Sequence, residues 1–207
     1  MKEKTKHIFD ELFISYPDLL VNKDDILKAF EVLKNTFSSG HKLLICGNGG
    51  SASDVEHMSG ELLKNFRKKR TIPSSLKEKI LDKDLLNNLE KGYPVISLVS
   101  FTSFISAYNN DHDPKYLYAQ EVSVLAKEGD TLLIISTSGN SKNCLYACKV
   151  AKALGVKVIL LSGMDGGEIK PHSDISIIVN KNETYQIQER HLPIYHALCA
   201  MIEEELD

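Results

Sequence analysis

One stretch of the sequence decides the fold: CGNGGSASDVEHMSGE, from Cys46 to Glu61. It continues a short apolar run, 42–46, that has the length and composition of a buried strand. Beyond the glycines, residues 51–66 have the pattern of a helix. A strand that passes through a glycine-rich turn into a helix is a βα unit, and a series of such units predicts a parallel sheet.

Strand and helix patterns alternate along the rest of the chain. The predicted strands are 42–46, 93–100, 131–136, 157–162 and 175–180. The predicted helices between and after the later strands are 102–109, 115–127, 141–154 and 183–205. Every predicted strand is apolar throughout, which is typical of a sheet covered by helices on both faces. The sequence therefore predicts an α/β fold with a five-stranded, mostly parallel sheet.

Two segments lie outside this alternation within what we predict to be a single domain, 1–207. Residues 1–40 contain two amphipathic patterns, 3–20 and 24–39, and are predicted to form an N-terminal helical extension. Residues 67–92 are dense in charge and separate the first βα unit from the next strand. We predict that they form a surface insertion, which lies over a site or at a subunit contact.

The composition excludes several classes of function. A net charge of −3 gives no electrostatic basis for binding nucleic acid or an anionic membrane. No apolar run reaches the roughly 18–20 residues that a membrane-spanning helix needs. The N-terminal segment contains acidic residues, unlike a signal peptide. The four cysteines form no CxxC pair and are expected to be buried, reduced thiols, which predicts a cytoplasmic protein.

The glycines of the first turn indicate that a ligand approaches the backbone where a helix begins. The first N–H groups of a helix are unpaired and carry partial positive charge. Gly47, Gly49 and Gly50 leave room for a ligand, and the hydroxyls of Ser51 and Ser53 can donate to it. The glycine spacing also matches a dinucleotide-binding fingerprint, but the acidic residue expected after the second strand is missing. We therefore predict no nucleotide or redox cofactor.

A second turn, STSGNS (Ser136–Ser141), also lies between a strand and a helix and is rich in hydroxyls. Its four hydroxyl residues are Ser136, Thr137, Ser138 and Ser141. One hydroxyl is enough for ordinary helix capping, so four favour a phosphate-binding loop. Lys142 follows in the first turn of the helix, which disfavours a cation unless an anion lies near. The Gly-Lys-Ser/Thr of a nucleotide-binding loop is missing, which favours a monophosphate.

Two parts of the chain carry candidates for proton transfer or metal binding. His57 and Glu61 are four residues apart, so they project from one helix face. The C-terminal helix contains Gln188, His191 and His196. The simpler explanations are a surface hydrogen bond for the first pair and a core histidine with a backbone partner for His196.

A metal site would require the two parts to converge. Pro193 removes a backbone hydrogen bond and should bend the C-terminal helix, which would bring Gln188 closer to His196. Two imidazoles, one carboxylate and one amide oxygen would then suit zinc. From the spacing alone, a site that binds a metal and a site that does not both stay open.

Several motifs together resemble the phosphoheptose isomerases, enzymes with a sugar isomerase (SIS) domain. The motifs are CGNGGSASDVEHMSGEL, NND (Asn109–Asp111), AKEGDTLLIISTSGNSKN, LLSGMDGG and IQERHLPIYH, and the resemblance covers nearly the whole chain except 67–92. It implies a doubly wound, flavodoxin-like α/β fold with helical extensions and a homotetramer with sites at subunit contacts. It also implies interconversion of sedoheptulose 7-phosphate and D-glycero-D-manno-heptose 7-phosphate in the synthesis of nucleotide-activated heptose.

The resemblance also implies roles for individual residues. The implied substrate-binding residues are Asn48, Gly49, Gly50, Ser51 and Gln188 at the sugar, Asn110 and Asp111 at its hydroxyls, and Ser136, Thr137, Ser138 and Ser141 at the phosphate. The implied ligands of one zinc ion per chain are His57, Glu61, Gln188 and His196. Glu61 and His196 are also the implied base and acid of a reaction through an enediol.

The chain departs from the family pattern at several positions. Asn65 stands where many members have an arginine near the phosphate, so Lys64, Arg67 or Arg70 is expected to replace it, or the ligand differs. Tyr185 and Phe101 each stand where an aspartate is common. Two other functions therefore stay open: isomerisation of another phosphosugar, and a non-catalytic SIS module that binds a phosphosugar or a protein partner.

Overall fold

A single sheet of five parallel strands forms the centre of the computed structural model, which describes all 207 residues. The strands are β1 (Leu43–Gly47), β2 (Val95–Ser97), β3 (Thr131–Ile135), β4 (Lys157–Ser162) and β5 (Ile175–Ile178). Their order across the sheet is β2-β1-β3-β4-β5, and every pair is parallel. The predicted α/β class and strand number are confirmed.

Nine α-helices surround the sheet. They are α1 (Glu3–Ser15), α2 (Lys23–Ser38), α3 (Gly50–Leu63), α4 (Ser74–Lys77), α5 (Lys83–Asn88), α6 (Thr102–Asp111), α7 (Leu117–Leu125), α8 (Lys142–Ala153) and α9 (Thr184–Leu206). The predicted helix 3–20 is wrong beyond Ser15, because the chain turns there and Pro17 begins a short 3-10 helix. The N-terminal helical extension itself is present.

The two faces of the sheet bury two separate hydrophobic clusters, so the fold is doubly wound. Along β1, Leu43 and Ile45 pack with α1, α2, α3 and α9, whereas Leu44 and Cys46 pack with α7 and α8. Successive side chains of a strand point to opposite faces, and here both faces are covered by helices. This is why each predicted strand is apolar at every position rather than at alternate ones.

The strand order places the two glycine–serine turns side by side. The chain leaves β1 toward β2 at one edge, whereas β3 leads on to β4 and β5 at the other. The carboxyl ends of β1 and β3 therefore diverge into a crevice, which is where ligands bind in open α/β sheets. Both predicted ligand-binding turns begin at this crevice.

Residues 67–92 contain α4, α5 and one isolated antiparallel bridge between Thr71 and Glu90. The buried carboxylate of Glu203 on α9 anchors the start of this segment, because it accepts hydrogen bonds from the backbone N–H groups of Phe66, Arg67 and Lys68 at 2.9, 2.7 and 3.1 Å. Arg70 is buried beside it, with Nε 3.0 Å from Glu203 Oε1. Most side chains beyond Ile72 are exposed.

None of the helices combines the length and the apolar character that crossing a membrane requires.

Glu121 on α7 is a buried carboxyl group that the fold leaves without partners. Its side chain is 4% exposed and neither oxygen has a hydrogen bond. Burial raises the pKa of Glu121 from 4.5 to about 8. The folded protein therefore retains a proton that the unfolded chain releases, so this group becomes destabilising as the pH rises from about 4.5 to about 8.

We predict that Glu121→Gln stabilises the protein, and that the gain grows with pH. The free energy of unfolding should rise by about 2 kcal/mol at about pH 8 and change little at about pH 5. Urea unfolding at both pH values measures it, with the exposed Glu128→Gln as the control. Equal or lower stability of Glu121→Gln at the higher pH would show that the carboxylate has a partner in solution.

Candidate active site

The turn after β1 brings the backbone of α3 close to α9. Gly49 has φ +56°, a left-handed conformation that favours glycine. A Cβ atom on Gly50 would lie 2.3 Å from Nε2 of Gln188, so only glycine allows this side chain to lie against the first turn of α3. Asn48, Gly49 and Gly50 are exposed, whereas the predicted ligand Ser51 is buried.

The turn after β3 leads into α8, and the side chain of Ser141, which precedes this helix, does not cap it. The only side chain that accepts a hydrogen bond from the first turn of α8 is Asn143, whose Oδ1 accepts from the N–H of Cys144 at 3.0 Å. The simpler alternative, helix capping by a hydroxyl of this turn, is therefore not what the structure shows. Ser136 is buried and its Oγ donates to Ser141 Oγ at 3.5 Å, while Thr137 and Ser138 are partly exposed. The hydroxyls and the free N–H groups together can accommodate an anion.

Lys142 gives no support to a bound phosphate. Its ammonium group lies 2.6 and 2.7 Å from the two carboxylate oxygens of Glu168. The anion that we expected near this cation is therefore a side chain of the same protein. The contact could not be predicted from the sequence, because Lys142 begins α8 whereas Glu168 lies in the loop after β4.

Asn143 and Tyr118, which were not predicted from the sequence, connect and support the turns after β1 and β3. The amides of Asn48 and Asn143 are paired reciprocally, each donating to the other at 2.9 Å, which links the β1–α3 turn to α8. Tyr118 on α7 donates to the carbonyl of Gly47 at 2.6 Å. The only signal in the sequence was the polar Asn143, two residues after the end of the serine-rich turn.

His57, Glu61 and His196 lie together where α3 and α9 meet. His57 Nε2 is 3.4 Å from His196 Nε2 and 3.5 Å from Glu61 Oε1. The side chain of His57 is 44% exposed and that of Glu61 is 18% exposed, so both can reach a ligand. His196 is not a core histidine with a backbone partner, and the two helices converge as the active-site hypothesis required.

The surroundings keep His196 neutral near physiological pH. Burial lowers its pKa below 6.5, the proximity of His57 lowers it further, and Glu61 partly opposes both effects. A neutral imidazole can accept a proton at one nitrogen and donate one from the other. His196 therefore has the chemistry of a proton carrier.

Asp54 and Tyr195 form a second layer behind His57 that sequence reasoning missed. The hydroxyl of Tyr195 lies 3.1 Å from His57 Nδ1 and 3.3 Å from Asp54 Oδ1. Tyr195 is fully buried, and burial raises the pKa of Asp54 while the hydrogen bond from Tyr195 lowers it. Tyr195 occurs within an apolar run, where its hydroxyl was the only signal.

Other predicted residues lie elsewhere. Gln188 contacts Gly50, and His191 is a fully buried core residue whose pKa falls to about 4 through burial. Asn110 and Asp111 are exposed at the end of α6, where their side chains hydrogen-bond only to each other. The helix α9 is continuous through Pro193, and the bend predicted there stays a prediction.

The contacts of Lys64, Arg67 and Arg70 differ in whether they leave a positive charge available in place of the family arginine. Arg70 does not, because it is buried against Glu203 and Asp207 and donates to the carbonyl of Lys64. Lys64 pairs with Glu61, with Nζ 2.9 Å from Oε2. The side chain of Arg67 is exposed.

The imidazole and carboxylate groups of this cluster are types of ligand that zinc binds, and two of their separations match those of a zinc site. Two ligands that lie about 2.0–2.1 Å from a tetrahedral zinc ion are about 3.3–3.4 Å apart. The separations of His57 from His196 and from Glu61, 3.4 and 3.5 Å, are close to this value. The donors meet in pairs, however, and no group of three or more His, Cys, Asp or Glu side chains forms a closed metal site.

Comparison with known proteins identifies the family. Residues 104–202 match the SIS domain family. A phosphoheptose isomerase of Aliarcobacter butzleri is 37% identical over 184 residues, which cover 89% of this chain and 87% of the relative. The chain belongs to the phosphoheptose isomerase family. Another phosphoheptose isomerase, from Trichlorobacter lovleyi, is 40% identical over 85% of this chain and 80% of its own length.

Solved phosphoheptose isomerases share the fold over the full chain. The enzyme from Francisella tularensis is 28% identical with a TM-score of 0.75 and covers 99% of this chain and 100% of its own. The enzyme from Neisseria gonorrhoeae is 27% identical with a TM-score of 0.73 and covers 97% and 92%. The chain is therefore an isomerase of the phosphoheptose isomerase family, and the alternative of a non-catalytic SIS module is set aside.

Proposed function

We propose that the protein interconverts sedoheptulose 7-phosphate and D-glycero-D-manno-heptose 7-phosphate by aldose–ketose isomerisation. The observation that supports this most is the cluster of Glu61, His57 and His196, in which a carboxylate and a neutral imidazole lie beside one another. The reaction needs one base and one acid at neighbouring carbon atoms and no redox cofactor. Both groups are available at this cluster.

The distance between the turns and the cluster suits an extended sugar phosphate. Gly50 begins α3 at the glycine turn, and His57 follows seven residues later. Seven residues of α-helix rise about 10 Å. The start of α8 adjoins the β1–α3 turn through the Asn48–Asn143 pair. A phosphate held there would let a seven-carbon chain extend along α3 toward His57, and binding of the remote phosphate would position the reacting carbons.

The proton transfers follow from the groups present. We propose that Glu61 removes a proton from C1 of the ketose, which produces the enediol, and returns it to C2 to form the aldose. His196 moves the second proton between the C2 and C1 oxygens. Asn48 and the backbone of Gly49 and Gly50 hold the sugar, while the hydroxyls of the β3–α8 turn bind the phosphate.

Zinc is the cofactor that we propose, held by His57, Glu61, His196 and Gln188. When bound, it would polarise the sugar oxygens next to the reacting carbons. Ligation would occupy one oxygen of Glu61, and the other already accepts from Lys64 at 2.9 Å. Lys64 would therefore have to release Glu61 before this carboxylate could act as the base.

We predict that protein purified without chelator contains about one zinc ion per chain. Removing the metal should reduce turnover strongly, and His57→Gln should lower the metal content because it deletes the donor nearest to both other groups. Elemental analysis and activity assays measure both effects, with the exposed His7→Gln as the control. A metal-free enzyme with full activity would contradict the proposal.

The substrate is tested best with a panel of ketose phosphates of different chain lengths. Seven-carbon substrates should give the highest kcat/KM. A second candidate is isomerisation of another phosphosugar, favoured by Asn65 in place of the family arginine and by the burial of Arg70. A preference for a shorter ketose phosphate would support this second candidate.

We also propose a cytoplasmic homotetramer with sites at subunit contacts, which acts in the synthesis of nucleotide-activated heptose. The four cysteines are free and buried, as expected in a reducing compartment. Asn110 and Asp111 are exposed and paired only with each other, which leaves them free to contact a neighbouring subunit.

A further inference from the structure

The contacts behind His57 determine which of its two ring nitrogens carries hydrogen. We propose that Asp54 and Tyr195 are positioning residues that hold His57 with its hydrogen on Nδ1 and a free lone pair on Nε2. The inference rests on the proposed function only for the use that the site makes of this lone pair.

The geometry connects three side chains through one hydroxyl. Tyr195 projects from α9, and its OH lies 3.3 Å from Asp54 Oδ1 and 3.1 Å from His57 Nδ1. Asp54 and His57 are three residues apart on α3, so they face α9 together. Tyr195 is fully buried, and the bond from its hydroxyl is the only hydrogen bond that the Asp54 carboxylate has.

The number of hydrogens available on Tyr195 and Asp54 determines the tautomer of His57. The phenol has one hydrogen and a carboxylate has none, so only Tyr195 can donate between these two groups. If Tyr195 donated to His57 instead, Asp54 would have no donor at all, because its buried Oδ2 is already without a partner. An unsatisfied carboxylate in this half-buried position is costly. Tyr195 therefore donates to Asp54 and accepts from the Nδ1–H of His57.

The consequence appears at the opposite side of the ring. With hydrogen on Nδ1, the lone pair of Nε2 faces His196 Nε2 at 3.4 Å and Glu61 Oε1 at 3.5 Å. This nitrogen can then accept a proton or bind a cation. The other tautomer would direct an N–H group into the same space, so Nε2 could neither accept a proton nor bind a cation. In the same way, the hydrogen bond at one ring nitrogen of a metal-binding histidine determines which tautomer it adopts.

The two possible substitutions have different expected effects. In Tyr195→Phe, His57 Nδ1 loses its partner, so both tautomers become populated. In Asp54→Ala, the Tyr195 hydroxyl loses its acceptor and turns to donate to Nδ1, so His57 shifts to the tautomer with hydrogen on Nε2. Asp54→Ala should therefore have the larger effect on His57, although Tyr195 lies between the two.

The tautomer can be measured by ¹⁵N NMR of metal-free protein labelled at histidine, at about pH 8, where exposed histidines are neutral. The His57 signals are assigned by their loss in His57→Gln. The wild-type protein should show a protonated Nδ1 and an unprotonated Nε2. Tyr93→Phe is the matched control, because it removes a buried hydroxyl that donates to Asp207 at 2.6 Å without contacting His57.

The affinity for zinc is a second, independent measurement of how Asp54 and Tyr195 position His57. Asp54→Ala and Tyr195→Phe should weaken zinc binding by about 10- to 100-fold, and Tyr93→Phe should leave it unchanged. A protonated Nε2 in the wild type, or no change of tautomer in either variant, would overturn the inference. The NMR result needs no substrate or turnover, so the tautomer can be established even if the protein isomerises none of the sugars tested.

Discussion

Glu61→Gln is expected to lower kcat for isomerisation by about 10³-fold or more, because it removes the proposed base that takes the proton from carbon. Glutamine has nearly the same shape and retains an oxygen that can accept from Lys64, so the helix contacts around it should persist. Binding of the phosphosugar should change only a few-fold, since the proposed phosphate site at the β3–α8 turn is separate from this carboxylate. Steady-state kinetics and titration calorimetry measure the two effects.

The control for this substitution is Glu56→Gln, which changes an exposed carboxylate on the same helix that accepts only from Ser100. It should leave kcat close to that of the wild type. Normal turnover by Glu61→Gln would exclude Glu61 as the base, whereas a large loss of binding without a change in kcat would assign it to substrate binding.

Glu203→Ala is expected to cause the largest loss of stability, about 3–5 kcal/mol in the free energy of unfolding. The carboxylate is almost completely buried and accepts from three backbone N–H groups in addition to pairing with Arg70. Its removal would leave these donors and a buried guanidinium with too few acceptors, which costs more than the loss of an exposed ion pair.

The neighbouring Glu204→Ala provides the control, because Glu204 pairs with the partly exposed Lys68 at 3.0 Å. It should change the free energy of unfolding by less than about 1 kcal/mol. Urea unfolding of both variants at one protein concentration measures the difference. Equal effects would show that the backbone from Phe66 to Lys68 does not depend on Glu203.

Much of the site was predictable because its elements are local in sequence. The β1–α3 and β3–α8 turns each follow an apolar strand, and His57 and Glu61 share a helix face at a spacing that is visible in the sequence. The pairing of His196 with His57 was expected from the family resemblance rather than from spacing. The structure then brought both histidines together without any closed metal site.

Contacts between distant parts of the chain could not be predicted. The charge of Lys142 was interpreted from its position at the start of α8, yet Glu168 from the loop after β4 pairs with it. Arg70 was considered for the phosphate, yet it is buried against the end of α9. In each case the sequence shows a charge, whereas only the path of the chain shows which group lies opposite it.

The sequence by itself determined the parallel sheet, the two turns at the crevice and the polar face of α3, because these follow from the period of apolar residues and from glycine conformation. The tertiary structure decided the hydrogen-bond chain from Asp54 through Tyr195 to His57 and the anchoring of 67–92 by Glu203. The physical reason is that hydrogen bonds and ion pairs act over a few ångströms in space, while the residues that form them are more than 130 positions apart in the chain.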